Sequence, residues 1–547
     1  MESFYKELAK ELEDKQYDKK QLSILKLNLC KKHNMKRIPT DIQILLNTNI
    51  RLKTKPARTG SGVAVIALMT KPFKCPHGKC IYCPGGPESV FGNVPQSYTG
   101  REPATMRGIR NKYDSYLQVF NRLEQYIVMG HIPEKVELII MGGTFPSFPR
   151  SYRESFVKYA FKAMNDFSDF FYHKNYFDIE KFKKFFELPG EVGDPKRVAS
   201  IHRKLGKLKG KCRLEAEQRK NEKSNIRCVG LTIETRPDYA RLKHGNEMLR
   251  LGATRVEVGV QSVYDSVLEK IERGHSVQNS INSIRALKDL GFKINLHYMP
   301  GLPGLGRKKD LDGMKQLFKN PDFRPDMLKI YPCMVMKGTK LYELWKRKKY
   351  KPLSTVQAAK LIAEFKAHVP EYVRIMRVQR DIPSSEVESG VKRTNLRQYI
   401  SEYMKKKSTE CKCIRCREPR DAQLENEQIF VKQYTASGGT EFFISIENKK
   451  NIFGFCRLRF PSRSMRTEIS EDSAIIRELH VYGSAAAIGE SGEIQHKGLG
   501  RQLLKKAEGI AEKYKKKKVV VISGVGVREY YRKHGYKKQG PYMVKKI

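Results

Sequence analysis

No apolar run in this chain approaches the roughly 20 residues that cross a bilayer, which excludes a membrane-spanning helix. The N-terminus, MESFYKELAKELEDK, lacks the apolar core of a secretion signal and reads as a charged amphipathic helix, so a cytoplasmic protein is expected. No segment repeats. Acidic residues are scarce, 59 Asp and Glu against 106 Lys and Arg, for a formal charge of +47. Solubility needs no such excess. A surplus of this size fits a polyanionic partner, with nucleic acid ahead of an anionic membrane surface. The eleven cysteines come without a secretion signal, so clustered thiols point to metal and not to a disulfide framework.

What is present is enough for about three domains: 547 residues, 39% of them hydrophobic. Residues 1–60 read as small helices with a basic tail, RLKTKPARTGSG, in which the Lys53–Arg58 stretch could hold RNA phosphates or serve as a solvated linker. In the helices Leu22, Ile24, Leu25 and Leu29 form a packing stripe. Residues 61–370 alternate apolar strands with helical stretches. The strands are VAVIALM (63–69), VELIIM (136–141), VGLTIE (229–234), RVEVGV (255–260), KINLHYM (293–299) and MLKIY (327–331), a pattern of parallel βαβ units. A lysine-rich, aromatic-rich insertion, 150–226, reads as helical and as an accessory RNA surface. Residues 371–420 form a linker carrying Arg374, Arg377, Arg380 and Arg393. Residues 421–547 change to mixed strands and helices.

In parallel sheets, sites gather beyond the carboxyl ends of the strands. The first strand leads into CPHGKCIYCPGG, which carries Cys75, Cys80 and Cys83. Three thiolates on one glycine-rich loop can hold a 4Fe-4S cluster and leave one iron open for chemistry; the alternative is structural zinc with His77 as fourth ligand. The later strands end in Gly142-Gly143-Thr144, in Glu234-Thr235-Arg236-Pro237-Asp238, in Gln261-Ser262, in a Pro300–Gly304 turn and in Tyr331-Pro332-Cys333.

Two further motifs carry chemistry. Gln495-His496-Lys497-Gly498-Leu499-Gly500 opens the helical segment RQLLKKAEGIAEKY at Arg501, an arrangement that suits a pyrophosphate. The preceding strand, with Glu478, Leu479, His480 and Val481, could lie beside a pantetheine arm. Cys411, Cys413 and Cys416 read as a structural zinc knot, with Cys333 the expected fourth ligand.

The cysteine loop, Gly142-Gly143-Thr144 and Gly259-Val260-Gln261-Ser262 resemble the radical S-adenosylmethionine superfamily, although the cysteine spacing here is four then two residues and not the more familiar three then two. The glycine motif resembles the GNAT-type N-acetyltransferases that bind acetyl-CoA, a resemblance that makes Tyr530 and Tyr531 cofactor candidates and Glu478 or His480 candidates for a general base. From about residue 60 onward the succession of motifs, including Gln96–Gly100, Thr232–Asp238, Arg380–Pro383 and Arg477–Gly483, is similar to the Elongator catalytic subunit family in its single-chain archaeal form. That resemblance implies an α/β chain: a partial TIM-like (β/α)6 radical domain, then an α/β acetyltransferase domain. It implies that S-adenosylmethionine binds the open iron near Gly142, Gly143, Glu234 and Gln261. A 5′-deoxyadenosyl radical then activates the methyl of acetyl-CoA for addition to C5 of a tRNA wobble uridine, and hydrolysis leaves a carboxymethyl group. The implied partners are the tRNA anticodon stem-loop, cradled by the basic N-terminus, the insertion and the Arg374–Arg397 segment, with acetyl-CoA and a reductant, and a homodimer as one option for assembly. A protein lysine acetyltransferase with the first domain as scaffold is the competing expectation.

Overall fold

A computed structural model of the chain describes residues 2–14, 17, 19–35, 38–39, 43–44, 47–48, 62–191, 193–419, 424–482 and 498–547. The basic stretch Lys53–Arg58 and the motif residues Gln495, His496 and Lys497 lie outside them.

Seven strands, β1 (Val63–Met69), β2 (Lys135–Met141), β3 (Arg227–Thr235), β4 (Arg255–Gln261), β5 (Lys293–Tyr298), β6 (Met327–Ile330) and β7 (Arg374–Arg377), pair in sequence order. Every pairing is parallel. Helices connect the first six, the (β/α)6 arrangement expected, and β7 extends the sheet beyond residue 370. Alternation along each strand explains the layering. Ala64, Ile66 and Leu68 of β1 and Val136, Leu138 and Ile140 of β2 are buried in the main core with the connecting helices. The intervening residues face away from them. The free edge of β1 is closed by side chains: Gln118 accepts from Met69 N and donates to Met69 O, while Arg107 and Tyr126 donate to Ala67 O and Val65 O.

The insertion is helical, with helices Arg150–Phe171, Ile179–Phe185, Pro195–Lys209 and Leu214–Asn221. Most of its aromatic residues turn inward. Phe167, Phe171, Phe177, Phe182 and Phe186 are buried against one another, while Tyr176 is exposed, so a partner would meet mainly its basic residues. At the N-terminus, helices Glu2–Asp14 and Lys19–Lys32 enclose Phe4, Tyr5, Leu8, Leu29 and Cys30. Ile24, expected in that packing stripe, is half exposed because it points away from the partner helix.

A second sheet follows: β8 (Gln428–Ala436), β9 (Gly439–Glu447), β10 (Ile452–Phe460), β11 (Ser473–Val481), β12 (Lys518–Val521), β13 (Lys537–Gln539) and β14 (Tyr542–Lys546), ordered β8-β9-β10-β11-β12-β14-β13. Only β11 and β12 run parallel, and their pairing stops at Ile476–Val521. The rest of β11 diverges, and helix Leu499–Lys513 packs over the sheet.

The two sheets share one core. Phe443, Phe455, Ile475, Tyr482, Val520 and Tyr542 join the hydrophobic cluster of the first domain. Contacts from the second domain reach the amino ends of the barrel strands: Tyr542 donates to Leu290 O, Arg477 to Phe292 O, and Arg374 to the Tyr482 hydroxyl. Between the domains lie Lys288, Asp289, Asp326, Glu441, Arg457, Arg459 and Arg477, each at most 1% exposed. Arg459 spans Asp289 (2.9 Å) and Glu441 (2.9 Å), and Arg477 spans Asp326 (2.6 Å) and Glu441 (2.8 Å). Charges this deep are tolerable only when paired, and the pairs cross the domain boundary.

Candidate active site

The cysteine loop sits past the carboxyl end of β1 and is laced to its neighbours: Ile81 N donates to Ile271 O, and Leu341 N to Ile81 O. Each sulfur has polar company. Thr144 Oγ1 lies 3.9 Å from Cys75 Sγ; His77 Nε2 lies 3.2 Å from Cys80 Sγ; Gln96 Nε2 lies 3.1 Å from Cys83 Sγ. Arg273, buried 12 residues beyond Gln261, places Nη1 3.6 Å from Cys80 Sγ and donates to Gly259 O at 2.7 Å. Among the described residues no carboxylate forms an ion pair with it. Burial works against its charge, yet Tyr82, Cys80 and Cys75 raise its pKa. Burial also pushes the Cys75 thiol up to about 11, with Cys83 adding to the shift.

The spacing of the sulfurs separates the two cysteine groups chemically. In a tetrahedral zinc site with bonds of about 2.3 Å, sulfurs stand about 3.8 Å apart. Cys411, Cys413 and Cys416 bring their sulfurs within 4.8 Å of one another; Cys75, Cys80 and Cys83 form no such group. Thiolates that each hold a different iron of a cube must stand farther apart than ligands of one ion, so the first trio suits a cluster and the second a single ion. Cys333 does not join the second trio. It is buried with Ile81, Cys83 and Leu341 in the packing beneath the loop, its thiol against the Tyr350 hydroxyl, because β6 delivers it to the opposite side of the linker.

The strand-end glycines keep room beside the loop. Gly142 has φ +120°, and a Cβ there would lie 2.3 Å from Thr70 Oγ1; at Gly85 a Cβ would lie 2.1 Å from Tyr98 O. Gln261 is buried at φ +69°, beside the Arg273 guanidinium.

The helix-free face of the first sheet carries a polar layer. Strand register brings Glu234, Glu257, Asn295, His297 and Lys329 side by side. Glu257 is fully buried and accepts from Asn295 (3.1 Å), His297 (2.8 Å) and Lys329, while Lys329 also lies 3.5 Å from Glu234. Burial opposes the Glu257 charge, but Lys329 and His297 hold its pKa well below the carboxylate range. The oxygens that could hold a metal ion here are occupied by the lysine ammonium. A single charged residue in the middle of otherwise apolar strands was the signal for this layer. Tyr98 is packed under Arg380, whose guanidinium lies 5.6 Å from the ring centre and donates to Ser97 O.

Of the linker arginines expected to contact RNA, two turn inward and two do not. Arg374 pairs with Glu418 and Tyr482, and Arg380 with the Ser97–Tyr98 turn; Arg377, paired with Asp381, and Arg393 are exposed. A separate cleft is lined by Arg110, Lys112, His202 and Arg203, with no acidic residue in its wall.

In the second domain Gly498 takes φ +76° ahead of helix Leu499–Lys513. The Leu499 side chain is core, so its contribution to a ligand is its backbone, and Arg501 is exposed. Tyr530 faces the glycine turn: a Cβ on Gly500 would meet its hydroxyl at 2.9 Å. Tyr531 is buried with Tyr536 and Cys456 and packs instead. Leu479 and Val481 pack on the same core, while Glu478 and His480 point to the barrel. Glu478 accepts from Arg457 at 2.8 Å; burial opposes its charge, but Lys293 and Arg457 hold its pKa low, which removes it as a base poised near neutrality. Burial lowers His480 to about 4, so it is a neutral imidazole at pH 7.

Residues 71–312 match the radical SAM superfamily, 325–406 the radical SAM C-terminal domain, and 490–546 an acetyltransferase (GNAT) domain. A tRNA uridine(34) acetyltransferase of Methanocaldococcus infernus is 46% identical over 510 residues, covering 91% of this chain and 88% of that protein. The human Elongator complex protein 3 is 41% identical over 514 residues, covering 91% and 86%. The solved structure of the archaeal Methanocaldococcus infernus Elp3 with an N-terminal deletion (1–46) superposes with a TM-score of 0.72 at 39% identity, covering 89% of this chain and 100% of that one.

Proposed function

The chain belongs to the family of tRNA uridine(34) acetyltransferases that includes Elongator complex protein 3, and from that premise we propose how its residues divide the work. It is an acyltransferase that uses acetyl-CoA to modify the wobble uridine of tRNA. Cys75, Cys80 and Cys83 hold a 4Fe-4S cluster, with S-adenosylmethionine beside Gly142, Gly143, Glu234 and Gln261. When bound, that pair of groups supplies a carbon radical able to activate the acetyl methyl, given an external reductant.

This chain's own residues bind, orient and exclude water. Gly142 and Gly143 allow backbone to approach the cofactor; Arg273 supplies the positive charge that the thiolate-rich loop calls for. Gly498, Leu499, Gly500 and Tyr530 hold the CoA arm in the opening where β11 leaves β12. His480 and Tyr482 close the barrel floor behind it. Cys411, Cys413 and Cys416 hold zinc. The N-terminal segment 1–60, the basic side of the insertion 150–226 with the Arg110–Arg203 cleft, and Arg393 receive the anticodon stem-loop, with the target base turned out of its stack. The remaining division is a radical domain over 61–370, a linker over 371–420 and an acetyl-CoA domain over 421–547. None of the eleven cysteines is disulfide-bonded, which is in keeping with work in the reducing cytoplasm.

One observation carries this reading: the two domains share a core, with the cysteine loop at the carboxyl end of the barrel and β11 at its amino end. An independent lysine acetyltransferase has no use for that union. The test is anaerobic incubation of reconstituted protein with tRNA, acetyl-CoA, S-adenosylmethionine and dithionite, then nucleoside mass spectrometry. A carboxymethyl increment on uridine that requires S-adenosylmethionine and is lost in Cys80→Ala is expected. Acetylated peptide made without reductant, and no modified uridine, would overturn the reading.

A further inference from the structure

The ladder between β10 and β11 contains an irregularity at one residue. Arg457 pairs with Glu478 and Leu458 with Ile476, so Arg477 has no opposite number and forms a β-bulge. A bulge shifts the alternation of every later side chain by one place. Before it, Ala474 and Ile476 face the core of the second domain; after it, Leu479 and Val481 do. Glu478, His480 and Tyr482 are thereby turned toward the barrel. Pairing with β12 ends at the same point, which opens the wedge between the two strands.

The bulged side chain is held largely by the other domain. Arg477 Nη1 and Nη2 donate to the two oxygens of Asp326 at 2.7 and 2.6 Å, and Nη1 also donates to Phe292 O at 2.8 Å. Glu441 accepts from Nε and Nη2 at 3.2 and 2.8 Å. Asp326 is itself fixed in the barrel: its carboxylate accepts from Ile294 N at 2.8 Å and its carbonyl from Arg374 N at 3.0 Å. Buried guanidinium and carboxylate are each untenable alone, so the bulge has its full set of partners only when the domains are docked.

We propose that Asp326 and Arg477 are positioning residues: the first domain clamps the bulge in β11 and so sets which side chains of the acetyl-CoA strand face the barrel. The proposal rests on the functional reading above. It makes coupling between the two halves of the reaction, and not either half alone, the quantity the clamp controls.

The test compares Asp326→Asn with wild type and with Leu138→Ala, a buried barrel position on β2 apart from the clamp. Three quantities are measured: 5′-deoxyadenosine formed, modified uridine formed, and amide hydrogen exchange across 474–482. In Asp326→Asn, modified uridine per 5′-deoxyadenosine should fall about tenfold or more, since ångström-scale misplacement of reacting groups costs about that much or more. Exchange across 474–482 should rise while tRNA affinity holds. Arg477→Lys, which cannot fork across both carboxylates, should reproduce the defect if Asp326→Asn folds poorly. Equal loss of both products, as expected for the Leu138→Ala control, or an unchanged ratio, would overturn the clamp. If wild type makes no modified uridine, the functional reading fails; the clamp is then decided by exchange, and unchanged protection in Asp326→Asn would overturn it.

Discussion

Replacing Arg273 by Met should move two measurable quantities in opposite directions. The guanidinium is buried, forms no carboxylate ion pair among the described residues, and has Cys80 Sγ 3.6 Å away. An uncompensated buried cation costs several kcal/mol after relaxation. Its donation to Gly259 O returns about 1.5–3 kcal/mol, and losing it would leave a carbonyl that His275, at 3.3 Å, can still approach. Metal-free Arg273→Met should therefore be at least as stable as wild type, and more stable by up to about 2 kcal/mol. Once the thiolates hold a cluster the sign reverses. A unit charge at 3.6 Å is worth about 4–5 kcal/mol at an effective dielectric constant of about 20, so the variant should lose iron and sulfide to a chelator roughly 100-fold faster or more. Urea titration of the metal-free proteins and chelator-driven bleaching of the reconstituted ones measure the two effects. A metal-free variant less stable than wild type by more than about 1 kcal/mol, or unchanged chelator resistance, would refute the assignment of Arg273 as counter-charge to the loop.

Gly142→Ala should weaken S-adenosylmethionine binding at least about tenfold by calorimetry, because φ +120° and a Cβ 2.3 Å from Thr70 Oγ1 together cost a few kcal/mol; Gly306→Ala, into open space, should not. Arg459→Met leaves Asp289 without an ion-pair partner among the described residues, while Glu441 keeps Arg477 and Lys288, and should cost about 3–5 kcal/mol in denaturant unfolding, against less than about 1 kcal/mol if the interdomain network were dispensable. Burial, with Arg273 and Arg236, lowers His275 to about 3, below its ordinary 6.5, so the unfolded chain binds the extra proton first. Stability tied to this residue is complete above pH 6.5 and is lost as pH falls toward 3, by at most about 1.4 kcal/mol per pH unit. The slope should be shallower in metal-free His275→Gln, and an unchanged slope would assign the acid sensitivity elsewhere.

Local chemistry was legible in the sequence wherever one segment carries it. Cys75, Cys80 and Cys83, the strand-end glycines and Gly498 each lie in a short motif whose spacing dictates its geometry. The six barrel strands were legible because all are apolar and β-branched. What escaped was produced by register between segments far apart. The Glu257–His297–Lys329 layer needs three strands in parallel alignment before three isolated charges become one group. Cys333 looked like a zinc ligand by residue type, and only the path of β6 takes it to Tyr350. The arginines of the linker read as an RNA surface by charge alone; Arg374 and Arg380 are instead drawn inward by Glu418, Tyr482 and Ser97.

The same distinction explains why the chain carries both catalytic halves on one rigid frame. Each half keeps its ligand-binding glycines in its own loops, and each could in principle bind alone. The residues that relate the halves, Asp289 and Asp326 on one side and Arg457, Arg459 and Arg477 on the other, have no such independence, because each of them has an ion-pair partner across the domain boundary. Separating the domains would expose a charged surface that water could solvate, so the cost falls on geometry as much as on stability. The bulge at Arg477 would lose Asp326, the alternation of β11 could revert, and Glu478 and His480 would turn from the barrel toward the apolar side now held by Leu479 and Val481. In the function proposed above, placement of the acetyl group for reaction depends on that alternation, which the barrel domain sets through Asp326.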